Sequence, residues 1–191
     1  MPRVLHARRL LGWLAASVMM SSTGCFIIDK NGDDVGDDLT PSPVPTSTGP
    51  ATTPAGAGGE VFALVNEARA RPRNCGGESF AAASPLRWND RLARAALAHS
   101  EDMAAKNYFS HVAPDGTDMT NRVAVQGYRF SALGENIAAG QRTAAEVVQG
   151  WLESPGHCAN IMNGAFREIG VGRAEGGSYK IYWTQNFGSP R

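Results

Sequence analysis

Three side chains in this sequence have the types and spacing to do chemistry together: His111, Glu135 and His157. Glu135 follows a glycine in Gly134-Glu135-Asn136-Ile137, and His157 closes the run Ser154-Pro155-Gly156-His157. Two neutral imidazoles can hold a borderline divalent ion such as zinc, with water completing the coordination. A carboxylate can orient an imidazole from behind, or hold the bound water. Two protein ligands alone bind an ion weakly. Without metal, the same trio can act as a base and its orienter, and a purely structural hydrogen-bond network is the third reading these residues allow.

Other candidates are weaker. His99 lies on the apolar stripe of a helical pattern and reads as a buried, helix-contact histidine rather than a ligand. Trp88, Trp151 and Trp183 fall on core faces of patterned segments. The chain carries no His-Glu-x-x-His helix, no nucleophile elbow and no phosphate loop. Ser110 beside His111 and Cys158 beside His157 are nominal nucleophiles, but sequence neighbours rarely present side chains for mutual proton transfer. With 18 basic and 18 acidic residues, scattered rather than clustered, there is no cationic field for nucleic acid.

The elements that must position the trio are legible by period. Val61, Leu64, Val65 and Ala68 recur at helical spacing until Pro72. Asn89 is placed to cap a helix running to about Asn107, with Leu92, Ala95, Ala96, His99 and Met103 as its apolar stripe. Thr117 is placed to cap a short helix ended by Gly127. Thr143 and Glu146 form a capping box opening a helix to Ser154, with Ala144, Val147, Val148, Trp151 and Leu152 on its buried face and Pro155-Gly156 ending it. After His157 the period changes. Tyr179, Ile181, Trp183, Gln185 and Phe187 alternate with Lys180, Tyr182, Thr184 and Asn186 beyond a Gly176-Gly177 turn, which predicts a hairpin. Helices first and strands last imply an α+β layered domain over residues 60–191.

What precedes residue 60 reads as delivery. Arg3, Arg8 and Arg9 precede an apolar run, Leu10 to Met20, too short to span a bilayer permanently. Ser21-Ser22-Thr23-Gly24-Cys25 then resembles a bacterial lipoprotein processing site, with Ser22 departing from the usual leucine. Residues 1–25 are therefore expected to be a signal peptide, with Cys25 becoming a lipidated N-terminus that anchors the protein to a membrane. An ordinary secretory signal, leaving the protein secreted, is the alternative, and Arg8-Arg9 alone is a weak twin-arginine signal. Residues 26–59 are expected to be a disordered tether, acidic at Asp29 to Asp38 and then rich in Pro, Thr and Gly. Export permits a disulfide. If Cys25 is acylated, Cys75 and Cys158 remain as a pair, closing a loop of about 80 residues worth at most ~4–5 kcal/mol in the chain-entropy model. A catalytic Cys158 is the rival reading.

Five motifs in order carry a family resemblance: Tyr108-Phe109-Ser110-His111; Gly134-Glu135-Asn136-Ile137-Ala138; Trp151 through Ser154-Pro155-Gly156-His157-Cys158-Ala159-Asn160-Ile161; Glu168-Ile169-Gly170-Val171-Gly172; and Tyr182-Trp183-Thr184-Gln185-Asn186-Phe187-Gly188. Together they resemble the CAP superfamily of cysteine-rich secretory proteins, antigen five and pathogenesis-related proteins, in its bacterial branch. The resemblance implies a three-layer α/β/α sandwich with a shallow cleft lined by two histidines and two acids. His111, His157 and Glu135 match three of these. The fourth, an acid three residues after the helix tryptophan in many eukaryotic members, is Ser154 here, and Glu153 stands one residue early. One residue turns a helical side chain by about 100°, which aims Glu153 elsewhere. The expected function is an envelope-tethered or secreted CAP domain whose His/Glu cleft binds a divalent ion, zinc or another, or a small, lipid or cell-wall ligand. The alternative is a metal- or His/Glu-dependent peptidase or esterase, so enzymatic activity is left open.

Overall fold

The computed structural model describes residues 54–191 and the backbone of 26–29. The expected signal segment, Cys25, and most of the expected tether through residue 53 lie outside the described residues. In chain order the elements are β1 (Phe26–Asp29), α1 (Ala57–Arg69), β2 (Arg73–Cys75), β3 (Glu78–Phe80), β4 (Arg87–Trp88), α2 (Asp90–Lys106), α3 (Met119–Val125), β5 (Phe130–Ala139), α4 (Ala144–Glu153), α5 (Pro155–Met162), β6 (Glu168–Gly176) and β7 (Lys180–Pro190). Among the described residues, no helix is long and apolar enough to cross a membrane.

A five-stranded sheet in the order β1-β5-β7-β6-β4 forms the middle layer. Helices α2 and α3 cover one face, and α1, α4 and α5 cover the other. This is the α/β/α sandwich that the family resemblance implies. The predicted hairpin is β6–β7, antiparallel through Gly176↔Lys180. Its alternation sorts the core. Trp183 and Phe187 pack with α1, α4 and α5, whereas Tyr182 packs under α2. Because both faces are covered, every β7 residue from Tyr182 to Ser189 is buried.

The glycines of Glu168-Ile169-Gly170-Val171-Gly172 have a packing cause. A Cβ on Gly170 would come within 2.0 Å of the Ala93 backbone, and one on Gly172 within 2.2 Å of Leu97 N. Only glycine lets α2 lie this close to the sheet.

Several boundaries differ from the sequence expectation. Residues 26–29, assigned to the tether, pair antiparallel with β5, Phe26 opposite Glu135; Phe-Ile-Ile is a β-prone run inside a polar stretch. Helix α1 opens at Ala57, three residues before the expected domain start. The α3 cap is Asp118, in a capping box with Asn121, not Thr117. The Gly134-Glu135-Asn136 motif is the middle of strand β5, an element the sequence pattern did not predict. Helix α4 ends before Pro155 as expected, but Pro155 also opens a second helix, taking the first-turn position of α5, where its missing N–H costs nothing. His157 therefore sits in the first turn of a helix.

Candidate functional site

Strand alternation explains the Gly-Glu-Asn motif, because successive side chains point to opposite faces. Glu135 faces the α2/α3 layer and Asn136 faces α5. Each organises one of the two histidines.

On the first face, Glu135 is fully buried and receives three donors. His111 Nδ1 lies 2.8 Å from Oε1, and an Arg122 guanidinium nitrogen donates to Oε2 at 2.8 Å. The Asn186 amide nitrogen, in the orientation that also lets its oxygen accept from Ala96 N at 3.2 Å, lies 3.1 Å from Oε2. Burial alone would push this carboxyl up. The His111 hydrogen bond, then the Arg122 charge, outweigh it and hold the group below its ordinary range. An ionised Glu135 makes His111 carry its proton on Nδ1, so a neutral ring presents its lone pair at Nε2. Arg122 also donates to the carbonyls of His111 and Thr117, both at 3.1 Å, tying the loop backbone to α3.

His99 adds a second tie. It is buried as expected, and its Nε2 lies 3.0 Å from the Ser110 carbonyl, one residue before His111. Burial pushes its pKa down to about 4, so it is a neutral donor fixing the loop rather than a ligand.

On the second face, Asn136 Nδ2 donates to the His157 carbonyl at 3.2 Å and to Gln185 Oε1 at 2.8 Å. Asn160 Nδ2 answers from α5, donating to the Glu135 carbonyl at 3.2 Å and Asn136 Oδ1 at 3.0 Å. These amides fasten the helix that carries His157 to the strand that carries Glu135. The Cys75–Cys158 disulfide fastens it again, joining the β2–β3 hairpin to the residue after His157. Both cysteines are buried in this bridge, which removes Cys158 as a nucleophile. Gly76, in the same hairpin with φ +63°, abuts Pro155 so closely that a Cβ would come within 2.5 Å of its ring. Arg69, fully buried, caps the other end of α5 through the carbonyls of Ile161 and Asn163 at 2.6 and 3.0 Å.

His157 lines a cleft of about 310 Å³ shared with Ser154, Gln141, Phe109, Ile137 and Tyr179. Its Nε2 is shielded from bulk water and has no hydrogen-bond partner. Burial, and after it Coulomb repulsion from the His111 side, lowers its pKa. Of the two positions considered for a second acid, Ser154 lies in the cleft wall. Glu153 is solvent-exposed and accepts a 2.6 Å hydrogen bond from Gln149 Nε2, one turn back on α4. Among the described residues, no carboxylate lines the cleft. Both Glu135 oxygens are already occupied, and among the described residues no three His, Cys, Asp or Glu side chains are grouped to hold a metal. His157 lines the cleft and His111 does not, so the described residues form no closed structural metal site.

Arg122, Asn136, Asn160 and Gln141 were not singled out from the sequence. Arg122 carried one usable signal: a cation beside Val123 and one turn from Met119, the two buried residues of α3. Asn136 and Asn160 stood inside the family motifs without a role assigned to them, and Gln141 gave no signal.

Comparison with known proteins agrees with this architecture. The profile of the Cysteine-rich secretory protein family, CAP, matches residues 62–187. The Bacillus subtilis protein YkwD is 44% identical over 103 residues, covering 54% of this chain and 39% of YkwD. An extracellular protein containing a SCP domain from Bacillus anthracis has a solved structure that superposes with a TM-score of 0.58 and 34% identity, over 69% of this chain and 40% of that one. The chain thus spans about two fifths of the length of each of these proteins. An outer surface protein from Borrelia burgdorferi, at 20% identity and a TM-score of 0.57, covers 69% of this chain and 90% of its own, and shows the fold alone. With the profile matching well over half of its length, and with these motifs in these structural places, the chain belongs to the cysteine-rich secretory protein (CAP) family.

Proposed function

We propose that this CAP domain is a binding module. Its cleft, lined by His157, weakly holds a divalent ion, zinc or a similar metal, or a small ligand, at the cell envelope, with His111 as the second candidate imidazole. The observation that carries the reading is the polarity of the two imidazoles. Glu135, locked by Arg122, fixes the His111 proton on Nδ1. His157 is held neutral, with Nε2 shielded and unpartnered on the cleft side of α5. A buried polar atom without a partner stands at a cost of about 1–3 kcal/mol unless a ligand completes it. The envelope location rests on the lipoprotein-like segment ending at Cys25 and on the likeness to the extracellular Bacillus anthracis protein. Acylation of Cys25 would place the domain on a membrane surface, and its absence would release it. Calorimetric titration of the full chain with zinc tests the reading. Binding in the micromolar range or weaker is expected, abolished by His157→Ala and weakened by Glu135→Gln. An unchanged isotherm in His157→Ala would refute it.

One observation favours a hydrolase as the second reading. The His111–Glu135 pair has the geometry of a general base and its orienter. Peptide or ester turnover that Glu135→Gln abolishes would favour it over the binding module.

A further inference from the structure

The cleft wall has a chemical composition that a metal ion alone does not account for. Phe109, in the loop just before His111, and Tyr179, in the β6–β7 turn, are 39% and 52% exposed. Their ring centroids lie 5.9 Å apart at an interplanar angle of 51°, forming an open aromatic V at the cleft. Tyr182 braces Tyr179 from behind at 5.8 Å, edge to face, so the exposed ring is held in place. The same wall holds two buried polar atoms without partners, Gln141 Oε1 and His157 Nε2. Ser154 adds a hydroxyl-bearing side chain to it. Among the described residues, no Lys, Arg, Asp or Glu lines the cleft.

We infer that this cleft takes a neutral saccharide, with one pyranose ring seated against Phe109 and Tyr179 and its hydroxyls completing Gln141 Oε1 and His157 Nε2. The inference rests on the reading of the cleft as a binding site and names its ligand class. A sugar ring has an apolar C–H face for the aromatic pair and O–H donors around its rim. It serves both parts of the wall at once. Gln141 Oε1 can only accept, so the ligand must bring a donor. An acyl chain would cover the rings and leave both polar atoms unpaired. A metal ion would serve His157 and leave the rings and the amide. The uncharged wall disfavours an anionic ligand. A peptide adding as a strand on β5 is disfavoured too, because the Trp151 indole already donates to the Ile137 carbonyl at 3.2 Å.

The test is calorimetric titration of the full chain with cellotriose, with chitotriose and, separately, with decanoate, alongside the zinc titration. Saturable binding of at least one trisaccharide is expected. Phe109→Ala and Tyr179→Ala should each weaken it by about tenfold, as loss of an aromatic contact implies, while Tyr179→Phe retains it. Zinc binding should be unchanged in all three. Val125→Ala, at an exposed apolar residue outside the cleft, serves as the control for general surface effects. Trisaccharide affinity that survives Phe109→Ala and Tyr179→Ala would overturn the placement. No trisaccharide binding while zinc still binds through His157 would overturn the ligand class alone and leave the proposed function standing. Decanoate binding that requires the two rings, without trisaccharide binding, would overturn it in favour of an acyl ligand.

Discussion

The two faces of β5 solve the same problem with opposite chemistry. The Glu135 face positions His111 with charge: a buried carboxylate held by a guanidinium, an imidazole and an amide. The Asn136 face positions His157 with neutral amides and a disulfide. The difference teaches where each histidine's behaviour comes from. His111 has its tautomer dictated by an anion. His157 has its backbone fixed and its ring left without a strong partner. A charged network is the costlier one to break, because removing one member strands another charge in the interior.

Arg122→Met should therefore be the most damaging substitution in the site. Breaking a buried ion pair costs about 3–5 kcal/mol, read by urea unfolding, and Glu135→Gln in the same background should recover part of the loss. On the other face, Cys75→Ala with Cys158→Ala should lower stability by about 2–5 kcal/mol, with a matching fall in Tm. His157 should lose order before His111 does, visible as faster amide exchange in α5.

Acid should act through the first face and through His99. Its folded pKa of about 4 lies below the ordinary 6.5. Between those values the unfolded chain takes up a proton that the folded chain refuses, so the stability held near neutral pH is lost as pH falls. Glu135, depressed below its ordinary 4.5, and His157, also depressed, push in the same direction. His99 alone contributes a slope amounting to about 3 kcal/mol between neutrality and pH 4. His99→Gln should flatten that part of the curve measured by denaturant unfolding.

Asn136→Ala should cost about 1–3 kcal/mol by orphaning Asn160 and Gln185, less than Arg122→Met. The reverse order would erase the distinction between the faces. Glu153→Ala should change stability by less than about 0.5 kcal/mol and leave zinc affinity unaltered. A large effect would mean that the exposed acid reaches the cleft after all.

The sequence reveals the helices and the final hairpin because their periods are unambiguous: the Thr143 box and the Trp183-Gln185-Phe187 alternation stand where they were expected. It conceals β5. Gly134, Ala138 and Ala139 give that strand almost no β-branched signal, and its central place is set by neighbours on both sides. It also conceals α5, since a proline that looks like a stop serves equally well as a first residue. The His111–Glu135 pair is legible by residue type. Arg122 and the amides are not, because their roles exist only after α3 and α5 dock. The direction of Glu153 follows from helical spacing alone, and the structure places it outside the cleft.

The most direct test of shared action by the two imidazoles is nitrogen-detected NMR of the histidine rings during a zinc titration. Nδ1–H on His111 is expected before metal, followed by parallel shifts of Nε2 on His111 and on His157 at the same zinc concentration. Zinc that shifts one ring without the other, or His111 protonated on Nε2 with Glu135 intact, would contradict the account.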